Sequence, residues 1–188
     1  MALNEWFAKG MSPGTYMEQM TKHKENLHYI YERFSVTDDE RLTTLKQKND
    51  RVIVLTEDWC GDAMLNVPIL FHIAEQANMD VSLLLRDSNL ELMDQYLTNG
   101  KSRSIPIFIF IDQDGNEVTT WGPRAPEMQA KVEELFKALP AKDDPDYEQK
   151  WKETIATMTE MLRDDENNWH TVYESIINTL ERAEKMPS

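Results

Sequence analysis

Val52-Ile53-Val54-Leu55-Thr56-Glu57-Asp58-Trp59-Cys60-Gly61-Asp62-Ala63 carries the only cysteine of the 188-residue chain at the junction of two patterns. The apolar run Val52 to Leu55 has the length and β-branched content of a buried strand. Beyond the cysteine, Met64, Val67, Ile73, Ala74 and Ala77 recur at helical steps, so Cys60 is expected at a helix N-terminus. Free backbone N–H groups there favour a thiolate over a thiol, and the thiolate is the form that attacks disulfides. Glu57, Asp58 and Asp62 oppose this, because negative charge beside the sulfur raises its pKa.

Four further features accompany this stretch in order. Pro68 lies eight residues after Cys60, inside an otherwise helical run where proline is unusual. Ser104-Ile105-Pro106 leads into the apolar Ile107-Phe108-Ile109-Phe110-Ile111. Asp112-Gln113-Asp114-Gly115-Asn116 reads as a hairpin turn, and Trp121-Gly122 follows. Together these resemble the thioredoxin superfamily over roughly residues 37 to 139. The resemblance implies a cis-proline at Pro106 facing Cys60 across a shallow groove, with Trp59 bordering the groove.

Three departures limit what the resemblance implies. Ala63 stands where thioredoxins carry the resolving cysteine, so no internal disulfide can release a substrate. Asp62 replaces the motif's proline, and Val54 replaces a buried acid that assists proton transfer. Dithiol reduction is therefore not expected. Two readings stay open. In one, Cys60 is a monothiol nucleophile that exchanges mixed disulfides with a protein or low-molecular-weight thiol, the Gly61 and Asp62 amides stabilising the thiolate and Ile105 and Pro106 holding the bound chain. An external thiol would then resolve the intermediate, with glutathione, bacillithiol and a protein thiol all open. In the other, the fold and groove persist as a binding or adaptor module without redox turnover. A thiol pKa of about 8.5 or higher favours the module. Arg103, three residues before Pro106, is read either as a cation for a substrate carboxylate or for Asp62, or as half of a surface ion pair.

The expected architecture is α/β: a mixed sheet covered by helices on both faces, with an N-terminal helical extension (1–36), the thioredoxin-like part (37–139) and an acidic C-terminal helical hairpin (140–188). In the extension, Tyr16, Met20, His23, Leu27, Ile30 and Phe34 form an apolar stripe after a helix start at Ser12-Pro13. Thr37-Asp38-Asp39-Glu40 has the capping-box pattern. The central part is expected to contain helix 60–77, strand 80–86, helix 89–98, strand 106–112, strand 116–121 and helix 125–138. In the tail, stripes through Trp151 and Ile155 and through Trp169, Val172 and Ile176 are expected to be buried against each other, the core or a second subunit, which leaves a homo-oligomer open.

The net charge of −14 speaks against nucleic acid and anionic membrane surfaces as partners. No apolar run reaches membrane-spanning length, and the first residues lack a secretory signal's basic start and apolar stretch. One cysteine suits a reducing, cytoplasmic setting. The scattered histidines His23, His28, His72 and His170 show no metal-ligand spacing, and neither metal nor cofactor is expected.

Overall fold

A computed structural model describes residues 1–186. Strands β1 (Arg51–Thr56), β2 (Asp80–Leu85), β3 (Ile107–Ile111) and β4 (Glu117–Trp121) form one sheet in the order β2-β1-β3-β4. β1 runs parallel to β2 and antiparallel to β3, and β3 runs antiparallel to β4, so the sheet is mixed as expected. All five residues of β3 are buried. Since alternate side chains point to opposite faces, a fully buried strand requires cover on both.

The register brings four chain segments to one end of the sheet. Leu55 pairs with Ile107, so the loop after β1 (residues 57–60) lies beside Ile105 and Pro106, which precede β3. Thr56 pairs with Leu85, so Arg86 and Asp87 emerge on one flank. Phe108 pairs with Trp121, so Gly122, Pro123 and Arg124 emerge on the other. Sequence-distant segments thus meet because strand pairing leaves them no other place to go.

Helices α1 (Leu3–Lys9), α2 (Pro13–Gln19), α3 (Lys24–Arg33) and α4 (Glu40–Lys46) precede β1. Residues 1–36 thus hold three helices, and the single stripe expected from Ser12 to Phe34 is divided between α2 and α3. Ser12 caps α2, its Oγ accepting from the Thr15 N–H, as the sequence suggests. His23, at φ +54°, takes a left-handed conformation and breaks the stripe, while Tyr16, Met20, Leu27, Ile30 and Phe34 are buried. Met11 exchanges two backbone hydrogen bonds of 2.9 Å with Leu83, tying this segment to the β2 edge of the sheet. The cap of α4 is Asp39, not Thr37: its Oδ1 accepts from the Arg41 N–H.

Helix α5 (Gly61–Gln76) is buried along most of its length, with Pro68 inside it, and packs on β2, α3 and α4. The helix expected at 89–98 shrinks to α6 (Leu90–Met93), because the chain turns at once into a bridge between Thr98 and Ser102. Asp112 closes the β3–β4 turn by accepting from the Asp114 and Asn116 amides. Helix α7 (Pro126–Lys137) leads to the tail helices α8 (Tyr147–Asp164) and α9 (Glu166–Lys185), both of which touch α5.

The two tail helices are seated unequally. Seven residues of α9 are buried, among them Trp169, Val172 and Ile176, whereas α8 buries only Met158 and Leu162. Trp151, expected in the buried stripe, is 41% exposed, stacks on Tyr147 and meets Phe136 edge-on at the surface, and Ile155 is half-buried. The stripe faces inward only along the C-terminal half of α8. Arg41 ties α4 to α9 by ion pairs to both Asp39 (2.7 Å) and Glu174 (2.8 Å). No helix among the described residues is long and apolar enough to cross a membrane.

Candidate functional site

Cys60 is the N-cap of α5, its Sγ accepting from the Ala63 N–H at 3.5 Å and donating to the Ile105 carbonyl at 3.5 Å. The Ile105–Pro106 peptide is cis, and both residues are buried. Trp59, Cys60, Gly61, Asp62, Ile105 and Pro106 thus lie together at one end of the sheet. Trp59 is the exposed member, at 46%, with the Arg86 guanidinium 4.9 Å from its ring centroid. Helix α8 closes the opposite side: a Cβ added at Gly61 would stand 3.1 Å from Met158 Cε and 3.9 Å from Leu162 Cδ1.

Cys60 is only 9% exposed, and burial raises its thiol to about 11. The Asp62 carboxylate adds to the rise, while the Ala63 and Asp62 amides and the Arg124 charge work against it. Desolvation therefore outweighs the helix N-terminus. Of the three neighbouring acids, Asp62 is the one whose charge acts on the sulfur. Asp58 turns away and accepts from the Thr21 amide (2.8 Å), the Thr21 hydroxyl and the Lys22 amide, which hold its carboxyl below the usual range despite burial. Glu57 accepts from the Asp87 amide at 2.9 Å.

Arg103 does not meet Asp62. Its Nε and Nη2 pair with Asp94 in an exposed bridge of 2.8 Å, so the surface-pair reading applies. The cation on Asp62 is Arg124, whose Nε donates to Oδ1 at 2.7 Å with both side chains largely buried. Arg124 Nη1 also donates to Gln129 Oε1, and Asn66 Nδ2 holds the preceding Pro123 carbonyl at 2.9 Å. Gly122, at φ +128°, packs directly on Pro106: a Cβ there would lie 2.2 Å from the Pro106 carbonyl oxygen. Even so, burial holds the Asp62 carboxyl above its ordinary range.

His72 Nε2 contacts the Tyr31 carbonyl at 2.7 Å, which gives it a structural role. Trp121 is a core residue stacked on Phe108, its Nε1 donating to Ser175 Oγ. No cluster of three or more metal-ligating side chains occurs among the described residues. An open groove of about 530 Å3, lined partly by Phe7, Met11, Met17, Phe71 and Met79, lies on the β2 side of the molecule and does not include Cys60.

A family model described as thioredoxin matches residues 10–137, about two thirds of the chain. Among solved structures, a protein of unknown function from Pseudomonas aeruginosa is similar with a TM-score of 0.67 and 15% identity, over 97% of this chain and 99% of that one. An HIV epitope-scaffold is similar with a TM-score of 0.60 and 14% identity, over 95% and 99%. At such identities the two structures speak for the fold alone, and they share it from end to end, tail helices included. No curated protein matches.

Proposed function

We propose that this chain, which belongs to the thioredoxin family through residues 10–137, is a binding module whose single cysteine rests as a protonated thiol. The observation that carries this reading is the state of Cys60: nine-tenths buried, its thiol raised to about 11, and without a second cysteine anywhere in the sequence. At pH 7.4 such a thiol is almost wholly protonated, whereas an ordinary thiol of pKa about 8.5 is ionised to roughly 7%. Exposed Trp59 with Arg86 beside it offers the accessible contact surface of the site, suited to an extended protein segment. The single cysteine suits a cytoplasmic setting, where a free thiol stays reduced.

Monothiol exchange is the second reading, favoured by one observation: the sulfur sits at the start of α5 within 3.5 Å of the Ile105 carbonyl, next to the cis bond of Pro106. In that reaction the Cys60 thiolate attacks one sulfur of a disulfide. A Cys60–S bond forms, the other sulfur leaves as thiolate, and an external thiol later displaces Cys60.

Incubating the full chain with oxidised glutathione at pH 7.4 and weighing it intact by mass spectrometry separates the two. The module reading expects little adduct over hours at pH 7.4 and accumulation only as the pH rises toward 10. One adduct per chain within minutes at pH 7.4, reversed by excess reduced glutathione and absent in Cys60→Ser, would establish exchange and remove the module reading. Insulin reduction is expected to be negligible in either case, since Ala63 cannot release a mixed disulfide.

A further inference from the structure

Arg124 has no counterpart in the motif that drew attention to Cys60, yet three independent contacts hold it at the site. Asn66, on α5 and buried, grips the Pro123 carbonyl; Gly122 is wedged on the Pro106 carbonyl; and Gln129 takes the outer Nη1. The loop is thereby fixed from α5, from the Pro106 loop and from α7, and it delivers the guanidinium to Asp62, two residues from the cysteine. A buried carboxylate without a partner is costly, and so is a negative charge beside a sulfur that must itself become negative.

We propose that Arg124 is a positioning residue that sets how readily the Cys60 sulfur ionises, by holding and offsetting the carboxylate of Asp62. The inference rests on the reading of Cys60 as a resting thiol and names the pair that tunes it. Asp62 suppresses ionisation and Arg124 relieves the suppression, so the site has one residue acting in each direction. Other charged or titratable groups around the sulfur are already engaged. Tyr16, from α2, is a neutral phenol bonded to Thr56 at 3.2 Å and raised to about 12; Glu57 and Asp58 are held by backbone amides; Arg86 lies over Trp59. Helix α8 contributes only the apolar Met158 and Leu162 at Gly61. The pair is the adjustable part of this environment.

The test is the rate of Cys60 alkylation by iodoacetamide on the full chain between pH 7 and 10, which tracks the thiolate fraction, with half a pKa unit read as about a threefold change in rate. Asp62→Asn should accelerate alkylation at pH 8 at least about threefold, and Arg124→Met should slow it at least about threefold. Arg124→Lys, which keeps the charge, should return the rate to within about twofold of the parent. The signs separate this role from a merely structural one, because loosening the site would expose the sulfur and speed alkylation in every variant. Acceleration in Arg124→Met, or parent-like rates in both Arg124→Met and Asp62→Asn, would overturn the proposal. Should Arg124→Met fail to fold by circular dichroism, Arg124→Gln, which also removes the charge, takes its place and is read by the same criteria. The measurement is independent of disulfide exchange, so absence of a glutathione adduct removes the second reading while leaving these rate differences intact.

Discussion

Replacing Gly122 by alanine probes the contact on which the site's geometry depends. At φ +128°, Gly122 occupies backbone space that costs a residue with a side chain about 1–3 kcal/mol. The new Cβ would stand 2.2 Å from the Pro106 carbonyl oxygen, 3.2 Å from its carbon and 3.3 Å from Ile107 Cα, all backbone atoms with no flexible end to swing aside. Reaching an ordinary approach needs a shift of about 1 Å between the two loops, a distortion in the same range as the overpacking penalties of buried sites. Together these predict a loss of about 3 kcal/mol in urea unfolding followed by tryptophan fluorescence, and a fall in Tm of about 6–12 °C for a chain of this length. Gly14→Ala serves as the control: it lies in α2 with nothing within 4 Å of the added Cβ and should be neutral or gain about 0.5 kcal/mol. A loss below about 0.5 kcal/mol for Gly122→Ala would refute the account of the loop.

Three other outcomes follow from the same contacts. Trp169, 2% exposed and donating its Nε1 to the Leu162 carbonyl at 3.0 Å, should cost about 3–5 kcal/mol on replacement by alanine, whereas Trp151→Ala should cost under about 1 kcal/mol; similar losses in urea titrations would contradict the unequal seating of the tail helices. Asp39 is held at about 2, first by its hydrogen bonds from Arg41, so its contribution is fully present above its unfolded value near 3.8 and is lost as pH falls through 2. The Tm of the parent should therefore decline between pH 4 and 2 more steeply than that of Asp39→Asn, and parallel curves would show that the Arg41 link is not felt. For Cys60 itself, thiolate absorbance near 240 nm should rise with a midpoint about pH 11, lost in Cys60→Ser; a midpoint below about 8.5 would restore the activated nucleophile.

The strand, the cysteine and the following helix were legible because each has a local signature: β-branched continuity, an N-terminal position, a 3.6-residue period. So were Pro68, the Asp112 hairpin and the cap at Ser12, which depend on neighbours a few residues away. Arg124 was not. It lies 62 positions beyond Asp62, and the two meet only because Trp121 pairs with Phe108 and Gly122 abuts Pro106. The one available hint was an arginine two residues after Trp121-Gly122, the last of the features that carry the resemblance. Trp151 misled for a related reason: periodicity identifies which face of a helix is apolar but not how far along the helix its cover extends. At His23 the chain breaks in a left-handed turn without a glycine or proline to announce it, so α2 and α3 read as one stripe. The short α6 shows propensity overridden by the bridge between Thr98 and Ser102.

The thin footing of α8 has a kinetic consequence. A helix anchored by Met158 and Leu162 forfeits about 3–6 kcal/mol of apolar burial when it lifts, while α9, with seven buried residues, would forfeit far more. The two helices should therefore record different clocks in amide hydrogen exchange, α8 opening through local excursions and α9 only with the body of the protein. Because Met158 rests on Gly61, each such excursion uncovers the start of α5. Access to Cys60 then becomes a matter of how often α8 lifts, and a reagent too large to enter the closed site should react at a rate set by that helix rather than by its own chemistry.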